Sequence, residues 1–153
     1  MKGYAFKDFK PENMARAIGT ALPISMKQSV EICRFIESRN ANDAKKMLQS
    51  VIDKKTAVPF LRFNRDLGHK KRVGPARYPE KASNHIIKLI ESAEANAQFK
   101  GLNTSNLVIA HISAHRSGKT WHYGRQSRRR MKRTNIEIIV EEKSKKEKEE
   151  QKK

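Results

Sequence analysis

The stretch over residues 107–140 leaves this chain few options. It opens on an apolar strand pattern (residues 107–112), crosses a polar basic reach, and closes on a second apolar strand pattern (residues 136–140). That is the pattern of a long hairpin. Between residues 111 and 133 it carries eight cations, Arg116, Lys119, Arg125, Arg128, Arg129, Arg130, Lys132 and Arg133, against no Asp or Glu. Only a polyanion neutralises such a density, so the expected partner is nucleic acid. At about 3.3 Å per residue, arms of roughly a dozen residues put the tip about 40 Å from the base, out of reach of the body. The tip is expected near residues 118–124. A two-stranded ribbon alone is marginal in water, so its far half is expected to order only when something surrounds it.

The rest of the composition is consistent with this. A length of 153 residues at 37% hydrophobic content supports one modest core, a single domain over residues 1–142 with a charged tail at 143–153. With 34 Lys and Arg against 16 Asp and Glu, the formal charge is +18 and points to RNA, DNA or an anionic membrane. No run approaches the roughly 18 apolar residues of a spanning helix. The first residues alternate charge and aromatics where a signal peptide would be apolar, so the chain is expected in the cytoplasm, away from membranes. A single cysteine, Cys33, excludes an internal disulfide and a multi-thiolate metal site.

Where the charge sits says more than its sum. Residues 62–81 hold seven cations and two acids, and together with residues 111–133 they account for +13 of the +18. The last 13 residues, six Lys and five Glu without an apolar residue, read as a disordered or fraying helical tail.

Taken in order, residues 1–14 form a polar lead-in and residues 16–24 an edge strand closed by Pro23. Ser25 and Gln28 have the spacing of a capping box, and Met26, Val30, Cys33 and Ile36 form the apolar stripe of a first helix. Cys33 reads as a small buried thiol, since no charge partner is visible to activate it. A second helix follows Asn40 with Ala44, Met47, Leu48, Val51 and Ile52 inward. Residues 56–79 break all periodicity and read as a long loop in which Phe60, Phe63 and Tyr78 interleave with Arg62, Arg65, Lys70, Lys71, Arg72 and Arg77. That mixture suits phosphate contacts and stacking on unpaired bases, although Phe60 and Tyr78 serve equally well as anchors to the core. The third helix, residues 80–100, lies between Pro79 and Gly101 and buries Ala82, Ile86, Leu89 or Ile90, Ala93 and Ala97.

Three patterns imitate enzymes. Ser117-Gly118-Lys119-Thr120 resembles the end of a phosphate-binding P-loop, but the first required Gly falls at Ser113 and no amphipathic helix follows. His111 and His115 have the spacing of a helical zinc pair, yet in a strand that spacing is about 13 Å, so they are expected to face RNA or solvent. The basic regions hold only Asp66 and Glu80 as acids, too few for the paired carboxylates of a nuclease. No enzyme and no cofactor is expected.

Several stretches, in order, resemble the large-subunit ribosomal proteins of the L-twenty-two family in its archaeal and eukaryotic branch. They are Pro23-Ile24-Ser25-Met26-Lys27, Val58-Pro59-Phe60, Gly68-His69-Lys70, residues 76–83 from Ala76-Arg77-Tyr78-Pro79 into the third helix, and Ala93-Glu94-Ala95-Asn96-Ala97. The likeness covers roughly residues 15–142. It implies an α+β fold, three helices packed on a small three-stranded antiparallel sheet, with a long protruding β-hairpin.

It also implies a structural place in the large ribosomal subunit, beside ribosomal RNA and neighbouring ribosomal proteins, with the hairpin helping to line the nascent-peptide exit tunnel. No homo-oligomer is implied. The hairpin would span residues 113–134, with Trp121, His122, Tyr123 and Gly124 near the tunnel wall and the nascent peptide. Lys27, Arg62, Arg65, His69, Lys70, Lys71, Arg72 and Arg77 on the body, and His115, Arg116, Lys119, Arg125, Arg128, Arg129, Arg130, Lys132 and Arg133 on the ribbon, are the expected RNA-binding residues.

The expected mechanism is assembly by charge neutralisation, the body docking first and the hairpin ordering as RNA folds around it. Composition leaves a second class open, a free-standing nucleic-acid chaperone or DNA-compacting protein with the hairpin as a flexible arm. Two basic regions on one small body, plus a ribbon too long to support itself, suit permanent burial in RNA better.

Overall fold

The protein is described from a computed structural model covering residues 4–143. Strand β1 (Met14–Leu22) leads into helices α1 (Met26–Ile36) and α2 (Ala41–Ile52). Three short strands follow, β2 (Val58–Pro59), β3 (His69–Lys70) and β4 (Gly74–Arg77), then helix α3 (Glu80–Phe99) and the long strands β5 (Leu107–Arg116) and β6 (Thr134–Glu142).

The main sheet is antiparallel in the order β1-β6-β5, so the last strand is central. Its sequence shows why. Ile136, Ile138, Ile139 and Val140 are all fully buried, and a strand covered on both faces reads as a near-continuous apolar run, broken here by Glu137. Ile136, Ile138 and Val140 meet the helices in one core with Ile32, Ile36, Leu48, Ile86 and Ile90. The opposite face, with Glu137 and Ile139, lies under the segment that precedes β1. There the Ala5 amide donates to Glu137 Oε2 at 2.9 Å, the Phe6 ring stacks on His111 at 5.0 Å, and the Arg16 guanidinium sits 4.4 Å from the Tyr4 ring and 4.7 Å from that of Phe9. From Tyr4 onward the polar lead-in is therefore a packed strap. Its aromatics were the available signal.

Helix α3 follows its expected bounds to within a residue. It buries Ala82, Ser83, Ile86, Ala93 and Ala97, with both Leu89 and Ile90 inward, and ends where Gly101 takes φ +79°. The alanines let it lie close on β1, where Asn96 Nδ2 donates to the Arg16 carbonyl at 2.9 Å and Lys100 Nζ to that of Met14 at 2.8 Å. Helix α2 starts at an Asn40 cap that accepts from the Asn42 amide at 3.0 Å, and Met47 and Ile52 are only half-buried.

Several expectations are corrected. The first strand runs two residues earlier than expected, because the ladder is interrupted near Ala21 and ends at Leu22, which frees Ile24 to enter the core. Ala21 takes φ +51° and gives its amide to Asn135 Oδ1 at 2.8 Å. No capping box forms at α1, since the Ser25 side chain makes no cap; instead Ser29 Oγ donates to the Ser25 carbonyl at 3.0 Å. The buried face of α1 is Ser29, Ile32, Cys33 and Ile36, while Met26 and Val30 stay half-exposed.

The region read as a loop holds a second sheet, β2-β4-β3, too short and too rich in Pro and Gly for any period to show. The hairpin ladder stops at Arg116↔Thr134, and β6 pairs with β1 over the same residues, so regular strand pairing belongs to the body. What extends further is residues 117–133, about 25 Å at roughly 3.3 Å per residue. Glu141 and Glu142, assigned to the tail, are the last residues of β6; the remaining tail, 144–153, lies outside the described residues.

Candidate nucleic-acid interface

Two basic regions distant in sequence meet at the first half of α1. The link is a residue the sequence did not announce. Glu31 is 2% exposed, and its carboxylate accepts three consecutive backbone amides, Leu61 at 3.1 Å, Arg62 at 3.0 Å and Phe63 at 2.8 Å. Each is a charge-assisted bond, and together they satisfy the buried charge. They also fix where the Arg62 and Phe63 side chains leave the loop. Phe60 holds the same segment by burial, at 2% exposure, so the anchoring alternative is the correct one for that ring.

One cleft is lined by Met26, Val30, Cys33 and Arg34 of α1, by Arg62 and Phe63 of the pinned loop, and by residues 112–116 of β5. A smaller hollow shares Met26 and Arg116 with it and adds Lys27, Lys119, Lys132 and Arg133. Neither has an acid in its wall. Phe63 stands with Lys27 Nζ 5.7 Å and the Arg62 guanidinium 5.2 Å from its centroid. Tyr78, Lys70 and Arg77 lie apart, around a third hollow with Lys54 and Glu80, where Lys70 Nζ is 5.7 Å from the Tyr78 ring. His69 pairs with Pro75 in the small sheet, Lys71 and Arg72 form its exposed turn, and Arg65 Nε donates to the Leu61 carbonyl at 2.7 Å. Arg34 was missed; nothing in a helical period marks a cation at a cleft rim.

Every Lys and Arg expected to bind RNA is exposed except Arg133, which is half-buried and donates to the Ala21 carbonyl at 3.1 Å, tying the ribbon's root to β1. Among the described residues none of them is ion-paired with an acid, whereas Lys45, Lys54 and Lys55 each pair with one. The basic surface is left without internal neutralisation.

The ribbon is cross-linked by backbone bonds from Ser117 to the Arg133 carbonyl (3.2 Å), Met131 to Thr120 (2.8 Å) and His122 to Arg129 (2.8 Å). Its turn is a short 3-10 segment, Gly124–Gln126, with Gly124 at φ +62°, so the tip lies at the far end of the expected stretch. Ser117 and Thr120 thus belong to a ribbon and not to a phosphate loop. Trp121 and Tyr123 are exposed near the tip, at 55% and 86%, with the Arg130 guanidinium 4.4 Å from the Trp121 ring. His122 is half-buried, and Arg125, Arg128 and Arg129 are exposed.

His115 is exposed, as expected, whereas His111 is half-buried against Glu137. They share one face of β5 with Ser113, opposite Glu137, so their ring tips converge on a carboxylate although their backbones are far apart. His111 Nε2 lies 3.1 Å and His115 Nε2 3.8 Å from Glu137 Oε1, to which Ser113 Oγ donates at 2.8 Å. Burial, the largest single influence, pushes the Glu137 carboxyl up. The Ala5 amide, the Ser113 hydroxyl and His111 outweigh it and hold the group below its ordinary 4.5. Among the described residues no three such side chains are grouped to hold a metal ion. Burial, with the nearby Glu37 charge second, raises the Cys33 thiol from 9.0 to about 12, as an inert core thiol requires.

The pattern of the family described as Ribosomal protein L22p/L17e matches residues 17–141. The chain is similar to the large ribosomal subunit protein uL22 of Archaeoglobus fulgidus, 36% identical over 146 residues, covering 90% of this chain and 94% of that one. It is similar to the protein of the same name from Methanoculleus marisnigri, 43% identical over 139 residues (86% and 91%), and from Nanoarchaeum equitans, 43% identical over 141 residues (86% and 80%).

Proposed function

This chain belongs to the ribosomal protein L22p/L17e family of structural, non-catalytic proteins of the large ribosomal subunit, and on that footing we propose that it binds ribosomal RNA through its two basic regions and lines the nascent-peptide exit tunnel with its hairpin tip. The observation that supports RNA binding best is the convergence of unpaired cations. Arg34, Arg62, Arg116 and the lysines beside them share one side of α1 with no acid among them.

A surface like that repels itself until phosphate neutralises it, and each phosphate engaged releases counterions. The body, pinned by Glu31 and filled by the apolar core, offers a pre-formed docking face. The ribbon, with few internal bonds, gains its order from the RNA around it. Phosphate contacts at Arg128, Arg129 and Arg130 fix position and carry no sequence information, so recognition rests on the shape of folded RNA touched at separate places. Exposed Trp121 and Tyr123 give the tip apolar area to present to a passing peptide. Neighbouring large-subunit proteins complete the surroundings.

Sedimentation of a cell extract through a sucrose gradient in high salt tests this reading. Proteins held by exposed charge alone strip off as salt screens them. The chain is expected to stay stoichiometric with the large subunit; recovery in free or DNA-bound fractions would instead support a chaperone or DNA-compacting role.

A further inference from the structure

The larger cleft is not built like a phosphate site. Its floor is apolar, with Met26, Val30, Ile112 and Ala114, and its volume, about 710 Å³, falls within the roughly 300–1,000 Å³ of clefts that take small ligands. The aromatic ring of Phe63 is in its wall and three guanidiniums, Arg34, Arg62 and Arg116, stand around it. One wall is a strand edge: β5 is the outer strand of its sheet, and residues 112–116 line the cleft consecutively. Among the described residues, their backbone groups take no backbone partner outside the β5–β6 ladder. Edge N–H and C=O groups are free donors and acceptors. The neighbouring hollow, joined through Met26 and Arg116, adds four further cations.

We propose that this cleft seats one unstacked nucleobase of an RNA strand, while the flanking phosphates run over Arg116 into the cation-lined hollow beside it. The proposal rests on the RNA-binding reading and adds a base pocket to it. Each part has a chemical task. The apolar floor and Phe63 take the faces of a base out of its stack, which is how proteins hold unpaired RNA. The β5 edge meets the polar rim of the base, and the arginines neutralise the phosphates on either side. The ring of cations without an acid favours a nucleotide over a peptide strand added to the same edge. Regular duplex has no base to offer, so the pocket distinguishes a bulged or single-stranded nucleotide from paired RNA.

The full chain is titrated with three RNA duplexes, one carrying a single bulged 2-aminopurine, one an abasic residue at the bulge, and one fully paired. The base-bearing bulge is expected to bind at least roughly tenfold tighter than the abasic one, as a stacked base contributes. The fluorescence of 2-aminopurine is expected to change on binding. Val30→Phe, which fills the cleft, is expected to collapse the difference between the two bulges, its thermal melt showing that it folds. Equal binding of base-bearing and abasic bulges by the wild-type chain overturns the base pocket while leaving RNA binding intact. Failure to bind any of the three at low salt removes the RNA-binding reading, and the pocket with it.

Discussion

Replacing Glu31 by Gln tests the buried carboxylate as the fastener of the basic loop. The side chain keeps its shape and loses its charge and one acceptor. The amides of Arg62 and Phe63 retain a neutral oxygen, whereas the Leu61 amide meets an NH2 group, donor against donor. Bonds to a charged acceptor contribute about 1.5–3 kcal/mol and neutral ones about 1 kcal/mol, so two bonds weaken by about 1 kcal/mol each and a third is lost for about 1–3 kcal/mol. Burying an amide in place of a carboxylate recovers part of this. The net loss expected is about 2–3 kcal/mol. With an unfolding entropy of about 2.1 cal/mol/K per residue over roughly 140 residues, the melting temperature should fall by about 7–10 °C. Circular dichroism melts measure the loss, and hydrogen exchange at Leu61, Arg62 and Phe63 measures its place. A shift under about 2 °C with those three amides still protected would refute the reasoning and leave the burial of Phe60 as the sole anchor.

Other consequences follow from the same structure. Because the Glu137 carboxyl is held below its ordinary 4.5, it stabilises the fold above that pH and the contribution is lost as pH falls through the depressed value. Glu137→Gln should therefore be less stable than wild type near neutrality and flatten the acid limb of the stability curve below about pH 4.5; an unchanged limb in acid melts would count against the interaction. With its thiol raised to about 12, Cys33 should react with a thiol reagent at pH 8 roughly a thousandfold more slowly in the folded chain than in guanidinium, and equal rates would show the site to be open. Replacing Arg128, Arg129 and Arg130 together with Ala should lower the slope of log affinity against log salt by up to about 2–3 while leaving the melting temperature within about 2 °C. Unfolding of that variant would show the three residues to be structural.

The elements legible in the sequence were those whose physics is local. Helix α3 is legible because Pro79 and Gly101 bracket a clean apolar stripe, and the β5 and β6 patterns because Ile109, Ile112 and Ala114 face Val140, Ile138 and Ile136 across a ladder. The small sheet was illegible because strands of two to four residues broken by Pro59 and Pro75 have no period to read. The strap before β1 was signalled only by its aromatics and its packing could not be read, since Tyr4, Phe6 and Phe9 are ordered by Arg16 and His111, which the chain reaches only after folding.

By itself, then, the sequence determined the charge, the ribbon and the family likeness, all properties of composition and order. Placement was decided by tertiary structure. Arg34, Arg62 and Arg116 are 28 and 54 residues apart along the chain and come to one cleft because α1 packs on β5 while Glu31 draws the loop to the same helix. Likewise His111 and His115 end on Glu137 because the β5–β6 register sets Ser113 opposite it. Burial and register are collective outcomes of packing, and a single residue's chemistry acquires its role only when they put a partner within reach.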